Sequence, residues 1–417
     1  MSKFIIKGGN SLYGRVRVQG AKNTILPLLA ATVLTGDICT IHNCPNLTDV
    51  DVSVRILECL GCRVVRENNS ITVDSSTVTN YVVPDSLMRE MRSSIVFLGA
   101  IASRFGNAVM SNPGGCELGP RPIDIHLSSL KKMGMIIDEV GGSLVCSANK
   151  THGAEITLPL PSVGATENIL LAAVSAKGTT KIINAAREPE ITDLGNFLIK
   201  CGAKIYGHGT SVITVQGVKK LHGTDHTAIT DRIVTGTYMS AVASAGGKIL
   251  IENAVVEDIA ALISVLQEMG CNIKNTNEGL LVECNSRPKS IEKIRTMYYP
   301  GFPTDAGTPI LSVMSVADGT SVLVENIFEC RFRSVDELIK MGASINVCGK
   351  MAVVKGVKRL HGARVFATDL RAGAALVIAG LNAEGITELE ELKHIDRGYE
   401  NLEIVLESLG AEIKRID

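Results

Sequence analysis

The chain has 417 residues, which exceeds the size of one hydrophobic core, so two or more domains are expected. Hydrophobic residues make up 45% and charged residues 20%, with a formal net charge of −1, so no global basic field recruits nucleic acid and any anion site must be built from a few converging arginines. Trp is absent and aromatics are 4%, which argues against stacking platforms for single strands; no apolar run reaches the roughly 18 residues of a membrane span, and eleven cysteines without a signal-peptide core point to a reducing cytoplasm.

The N-terminus reads MSKFIIKGGNSLYGRVRVQG, and RVRVQG at 15–20 is expected as a strand leading into the first helix. RVQGAKNTILPLLAATVLTGDICTIHN follows as extended chain, helix and strand. That helix is apolar almost all round, so it should be buried on all sides. The next helix ends in LECLGC at 57–62, amphipathic and closed by Gly61, and two short strands follow as CRVVREN and SITVDS.

This order then recurs. Its closing glycine reappears in LKKMGM at 130–135, LIKCGA at 198–203, LQEMGC at 266–271, LIKMGA at 338–343 and LESLGA at 406–411, roughly 70 residues apart. Its buried-helix cassette reappears as PSVGATENILLAAVSAKGTTKIIN, TDRIVTGTYMSAVASAGGKILIEN and TDLRAGAALVIAGLNAEGITELEE. The unit reads strand, buried helix, strand, surface helix, strand, strand. Six such βαβαββ repeats form an α/β protein of two lobes, three repeats each, with helices inside and sheets outside: an inside-out α/β barrel. RVRVQG also matches HGARVFATDLRAG near the other end, so the terminal strands are expected to pair and join the first residues to the second lobe.

Two junctions of the unit collect polar residues. At the N-terminus of the buried helix stand Lys22-Asn23, Arg92-Ser93, Thr166-Glu167, Arg232, Asp305, and Asp369 with Arg371. Free N–H groups and the positive dipole end suit anions there, and an Asp in that place can equally be a plain N-cap. The second junction, before the surface helix, is longest in SNPGGCELGPRPID. Asn112 and Asp124 lie 12 residues apart, against 5 for Asn253 and Asp258 in another repeat. Extra length with this glycine density suggests a loop able to open and close, carrying Cys116 and Arg121. Arg331 and Arg397 occupy the same junction in the last two repeats. His152, His222 and His361 share a repeated HG turn and are structural by that pattern; Cys59-x-x-Cys62, with Cys39 and Cys44 nearby, could suggest zinc, but the repeat places these residues at ordinary framework positions. No metal and no cofactor are expected.

The motifs GAKN around Lys22, NPGGCELGPRPID at 112–124, SVGAT at 162–166, AAREPEI at 185–191, GFPTD at 301–305, FECRF at 328–332, ATDLRAG at 367–373 and HIDRGYE at 394–400 resemble those of the enolpyruvyl transferases, specifically the UDP-N-acetylglucosamine 1-carboxyvinyltransferases. The resemblance runs from about residue 3 to the end of the chain. It implies two lobes, 22–229 and 1–21 joined with 230–417, with the active site in the cleft between them. It implies transfer of the enolpyruvyl group of phosphoenolpyruvate to the 3′-hydroxyl of UDP-N-acetylglucosamine, with release of phosphate, through a tetrahedral ketal. That is the first committed step of peptidoglycan synthesis, and so bears on cell wall, cell shape and division. The implied partners are these two small molecules, with no nucleic acid or membrane.

The same resemblance assigns roles. Lys22, Arg121 and Arg397 are expected on the phosphate, and Arg331, Arg371 and Arg397 on the carboxylate, with Arg92 shaping the cationic pocket. Asp305 is expected as base at the sugar hydroxyl, Asp369 as an aid to proton transfer, and Asn23 as a contact to the sugar. Arg121, Pro122, Ile123, Asp124, Ser162, Val163, Gly164 and Ile327 are expected against the nucleotide sugar. Some members carry Lys two positions before that serine, where this chain has Leu160. Cys116 is expected to act as acid and to form a covalent adduct with phosphoenolpyruvate, 2-(S-cysteinyl)pyruvic acid O-phosphothioketal; alkylation by the epoxide fosfomycin would follow. Arg121 should favour a thiolate, whereas an acid needs its proton. Two other readings remain open: transfer to another alcohol such as shikimate 3-phosphate, against which the Cys116 loop speaks, and a binding protein on the same fold, against which the full set of polar residues speaks.

Overall fold

The computed structural model describes residues 2–111 and 123–416. Among them, six helices that are apolar nearly all round form the interior: Lys22–Thr32, Phe97–Phe105, Val163–Ala173, Arg232–Ala245, Thr304–Val316 and Leu370–Asn382. Every residue from Thr24 to Thr32, Ala165 to Ala173, Ile233 to Ser244, Ala306 to Val316 and Arg371 to Leu381 is buried. Small hydroxyl residues tolerate this because they bond within the helix or to its neighbour. Ser240 donates to Gly236 O and Ser315 to Leu311 O, while Ser312 reaches Ala375 O of the next helix at 2.7 Å.

The chain divides into two compact units. One comprises Met1–Gln19 and Thr230–Asp417, the other the described residues from Gly20 to Ile229. Each has its own apolar core. In the first, the Arg232–Ala245, Thr304–Val316 and Leu370–Asn382 helices pack pairwise on one another. In the second, Phe97–Phe105 packs against both Lys22–Thr32 and Val163–Ala173.

Sheets of four strands wall these helices, and all six described sheets share one order. Glu155–Thr157 runs parallel to Thr179–Ile183, with the Val163–Ala173 helix between them in sequence. Val212–Gln216 pairs antiparallel with Thr179–Ile183, and Lys204–Tyr206 closes the edge. The inner faces are apolar and the outer faces wet, as the burial of Ile213 and Val215 between exposed Val212 and Gln216 shows. Helices inside and sheets outside make this an inside-out α/β fold, as the repeat predicts.

The first residues pair with strands near the other end of the sequence, as expected, but RVRVQG is not the segment that does so. The strand is Leu12–Val16, and it runs parallel to Gly247–Ile251, not ahead of the first buried helix in its sheet. Asp225–Thr227 takes that place, parallel to Ile38–His42. Lys3–Lys7 sits between Ile386–Glu390 and Glu412–Ile416, antiparallel to both. RVRVQG and the Arg364–Phe366 strand resemble each other because both lead into a buried helix, not because they pair.

Each surface helix ends as its glycine predicts. Gly61, Gly134, Gly202, Gly270, Gly342 and Gly410 all have φ between 86° and 101°, the left-handed region. The histidine of the HG turn lies against this glycine in three repeats, His152 at Gly134, His222 at Gly202 and His361 at Gly342. An added Cβ at Gly270 meets nothing within 4 Å, whereas at Gly134 it falls 2.9 Å from Lys150 O and 2.7 Å from the His152 ring. Gly270→Ala should therefore cost only the backbone term of about 1 kcal/mol, and Gly134→Ala distinctly more, measured as the fall in thermal unfolding midpoint.

Candidate active site

The polar residues gather at the N-termini of the buried helices, where the chain enters the interior. In the unit containing residues 230–416, Asp305 lies in the first turn of Thr304–Val316, and its Oδ1 accepts from Arg331 Nη2 at 2.6 Å and from Arg371 Nε at 3.4 Å. Arg331 is 2% exposed and Arg371 5%. Two buried guanidinium groups thus converge on one carboxylate oxygen, the arrangement expected where anionic groups must be received.

Each arginine has a second anchor. Arg331 Nε donates to Thr304 O and Oγ1, both at 3.2 Å, and its guanidinium lies over the Phe328 ring. Thr304 in turn donates to Glu325, whose other oxygen accepts from the backbone N–H of Ile327 and Phe328 at 2.7 and 3.0 Å. The buried Glu325 therefore fixes the backbone at Ile327, one of the expected substrate contacts. Arg371 Nη1 donates to the Tyr399 hydroxyl at 3.2 Å. Burial works against the charged form of Arg371, but Tyr399, Asp305 and Asp231 outweigh it and raise its pKa.

The two aspartates open to either reading separate here. Asp369 is an N-cap: its Oδ1 accepts from Arg371 N at 2.9 Å and Ala372 N at 3.1 Å. Asp305 lies inside the first turn, past the Pro303 N-cap, and its Oδ1 faces the arginines. Arg397 is half-buried in the turn before Gly398, and Gln19 grips that turn, donating to Gly398 O and accepting from Glu400 N.

In the other unit, Lys22 opens the first buried helix and pairs with Asp49 at 3.0 Å; their side chains are 10% and 3% exposed. Asn23 beside it is half-buried. Ser162 caps Val163–Ala173, accepting from Ala165 N. Gly164 gives this helix room to approach His126: a Cβ there would lie 2.9 Å from the imidazole. His126 Nδ1 is 2.9 Å from Asn168 Nδ2, and Asn168 is oriented by Gly99 N, which donates to its Oδ1 at 2.7 Å. Asn168 must then donate to His126, so Nδ1 carries no proton. Burial accordingly lowers the His126 pKa to about 4, with Asp124 opposing and Arg92 adding to the shift. Arg92, Asp124, Ser162, Val163 and Gly164 are thus gathered around the ends of two helices. Ile123 precedes the Asp124–Lys132 helix and is half-buried. Cys116, Arg121 and Pro122 lie outside the described residues.

Asp49, His126, Asn168, Glu325 and Tyr399 escaped the sequence reading. Tyr399 stands inside HIDRGYE and Asn168 inside PSVGATENILLAAVSAKGTTKIIN, and His126 is two residues past NPGGCELGPRPID, but only the fold supplies their partners. The cysteines grouped in sequence point to separate acceptors: Cys39 to Thr35, Cys44 to Ile41 O and Cys59 to Val82 O.

The family model for EPSP synthase (3-phosphoshikimate 1-carboxyvinyltransferase) matches residues 6–406. The chain belongs to the EPSP synthase family. Among its relatives, UDP-N-acetylglucosamine 1-carboxyvinyltransferase 2 of Caldanaerobacter subterraneus subsp. tengcongensis is 53% identical over 416 residues, covering 100% of both chains. UDP-N-acetylglucosamine 1-carboxyvinyltransferase 1 of Carboxydothermus hydrogenoformans is 46% identical, covering 100% of this chain and 99% of its own. Among solved structures, the enolpyruvyl transferase NikO from Streptomyces tendae superposes with a TM-score of 0.89 at 26% identity, over 99% of this chain and 98% of that one. EPSP synthase from Acinetobacter baumannii reaches 0.77 at 18% identity over the whole of both, a likeness of fold alone. As in the sequence reading, no helix among the described residues is long and apolar enough to cross a membrane.

One family member's interior is not neutral throughout: in this chain Glu167 is buried, and burial, then Glu190 and Glu188, push its pKa up to about 8. A carboxyl pKa raised on folding gives stability that is present below its ordinary value near 4.5 and lost as pH rises through 8. Glu167→Gln should thus raise the unfolding midpoint at pH 9, by the equivalent of at most about 5 kcal/mol, and leave it nearly unchanged at pH 4. Removing Asp49 takes away the carboxylate 3.0 Å from a buried ammonium, so Asp49→Ala should destabilise by about 3 kcal/mol and Lys22→Met/Asp49→Ala by less, in the same thermal measurement.

Proposed function

We infer that this protein is a UDP-N-acetylglucosamine 1-carboxyvinyltransferase: it transfers the enolpyruvyl group of phosphoenolpyruvate to the 3′-hydroxyl of UDP-N-acetylglucosamine and releases phosphate. The observation that carries this reading is full-length identity of 53% and 46% with proteins of that name, against 18% with EPSP synthase from Acinetobacter baumannii. Nothing comparable favours shikimate 3-phosphate as acceptor. The protein works in the cytoplasm on peptidoglycan precursors.

The chemistry requires carbon 3 of phosphoenolpyruvate to gain a proton while the sugar oxygen attacks carbon 2. The sugar hydroxyl loses its proton in the same addition. Elimination then returns a proton from carbon 3 and expels phosphate. The substrate's carboxylate calls for Arg331, Arg371 and Arg397, and its phosphate for Lys22, Arg121 and Arg397. Buried guanidinium groups suit this task because their field acts where water does not screen it. Asp305 receives the hydroxyl proton, and its orientation by two arginines supports that role. Asp369 adds to the field at carbon 2, although its cap bonds fix it first to the helix. Cys116 delivers the proton to carbon 3 and forms the phosphothioketal adduct.

The Arg92, Asp124, Ser162, Val163 and Gly164 group, with Asn23, Ile123, Pro122 and Ile327, receives the nucleotide sugar. The N–H groups opening Val163–Ala173 suit a diphosphate, and the neutral His126 keeps competing positive charge out of the helix contact.

Phosphate release should occur with phosphoenolpyruvate and UDP-N-acetylglucosamine and not with shikimate 3-phosphate; release with the latter alone would refute the assignment. Asp305→Asn, which keeps an oxygen acceptor for the two arginines, should lower kcat by about 10²- to 10⁴-fold and lower the thermal midpoint less than Asp305→Ala does. Incubation with fosfomycin should add its mass to the peptide containing Cys116, read by mass spectrometry after digestion.

A further inference from the structure

We propose that Tyr399 and Thr237 are positioning residues for substrate binding, acting through a one-way hydrogen-bonded chain that holds the Arg371 guanidinium against Asp305. The proposal rests on the enolpyruvyl-transfer reading, in which Arg371 grips the carboxylate of phosphoenolpyruvate.

The direction of every bond in the chain is fixed. Thr237 Oγ1 lies 3.1 Å from Ile233 O, a carbonyl that can only accept, so the threonine spends its proton there. Its 2.9 Å contact with the Tyr399 hydroxyl is then donated by the tyrosine. The tyrosine oxygen is left as acceptor, and Arg371 Nη1, which can only donate, lies 3.2 Å away. The Tyr399 ring adds a second hold, with the guanidinium carbon 5.7 Å from its centroid. Tyr399 and Thr237 are 2% and 3% exposed, so water does not compete for these bonds. Burial raises the Tyr399 pKa, which keeps the phenol proton in place through the neutral range.

The chain joins three parts of one unit: the Arg232–Ala245 helix, the Leu370–Asn382 helix and the turn at Gly398 and Tyr399. Nε of Arg371 is held by Asp305 and Nη1 by Tyr399, so the plane of the guanidinium is set before any substrate arrives. An arginine otherwise carries rotamer entropy that binding must remove. Holding it in advance moves that cost from binding to folding.

The test is steady-state phosphate release by the full chain with phosphoenolpyruvate and UDP-N-acetylglucosamine. Tyr399→Phe keeps the ring and removes the acceptor; Thr237→Val removes the acceptor that orients the phenol; Thr237→Ser restores it. Tyr399→Phe and Thr237→Val are each expected to raise KM for phosphoenolpyruvate about tenfold, with little change in KM for UDP-N-acetylglucosamine and a thermal midpoint within about 3 °C of wild type. Thr237→Ser is expected to return KM to near wild type, and Tyr399→Phe/Thr237→Val to be no worse than Tyr399→Phe alone. An active wild type with an unchanged KM in Tyr399→Phe overturns the proposal alone. So does a double variant whose defects multiply, or a rise in both KM values together with a falling midpoint, which marks general loosening. A wild type that releases no phosphate with either acceptor overturns the underlying reading and this proposal together.

Discussion

A helix buried on every side has nowhere to put a charge except its ends. That constraint organises the whole molecule. Six such helices form the interior, and their first turns are where chain, free N–H groups and polar side chains coincide. Lys22, Asp305, Asp369 and Arg371 all stand at such ends, and Ser162 and Asp231 cap two more of them. The fold does not merely carry a site; its packing rule decides where a site can be.

Charges at those ends must still be held. The first unit solves this with a continuous series of bonds from Glu325 through Thr304, Arg331, Asp305 and Arg371 to Tyr399 and Thr237. Each member satisfies the next, so several buried polar groups are accommodated without an orphan among those named. Partly satisfied networks are costly in a low-dielectric interior, and this one shows what a complete set requires. The second unit uses a simpler device, one buried lysine–aspartate pair and one neutral histidine locked by an amide.

The framework was readable because its physical demands recur. A surface helix that must turn sharply needs a left-handed residue, and glycine in that place at six matching positions showed where the helices end. Strand pairing near the N-terminus was not readable, because RVRVQG resembles every strand that leads into a buried helix and similarity does not say which sheet it joins. The candidate site residues at helix starts could be listed from sequence, since helix starts can be found there. Their partners could not. Asp49 looks like an acid in a first helical turn, and Tyr399 like one aromatic of a turn; only the fold brings the lysine and the arginine to them. Asp369 and Asp305 look alike in sequence and differ in structure because one lies just before its helix and the other just inside.

The placement of Lys3–Lys7 has a consequence for how the protein is made. This strand lies in the interior of its sheet, between Ile386–Glu390 and the last strand, Glu412–Ile416. Leu12–Val16 likewise needs Gly247–Ile251. A ribosome therefore releases the beginning of the chain long before its neighbours exist, while the unit from Gly20 to Ile229 is synthesised as one uninterrupted stretch and can close first. Leu12–Val16 must wait for Gly247–Ile251, and Lys3–Lys7 for Ile386–Glu390 and Glu412–Ile416. Synthesis that stops short of Glu412–Ile416 leaves Lys3–Lys7 with an open edge, a template for pairing with another chain.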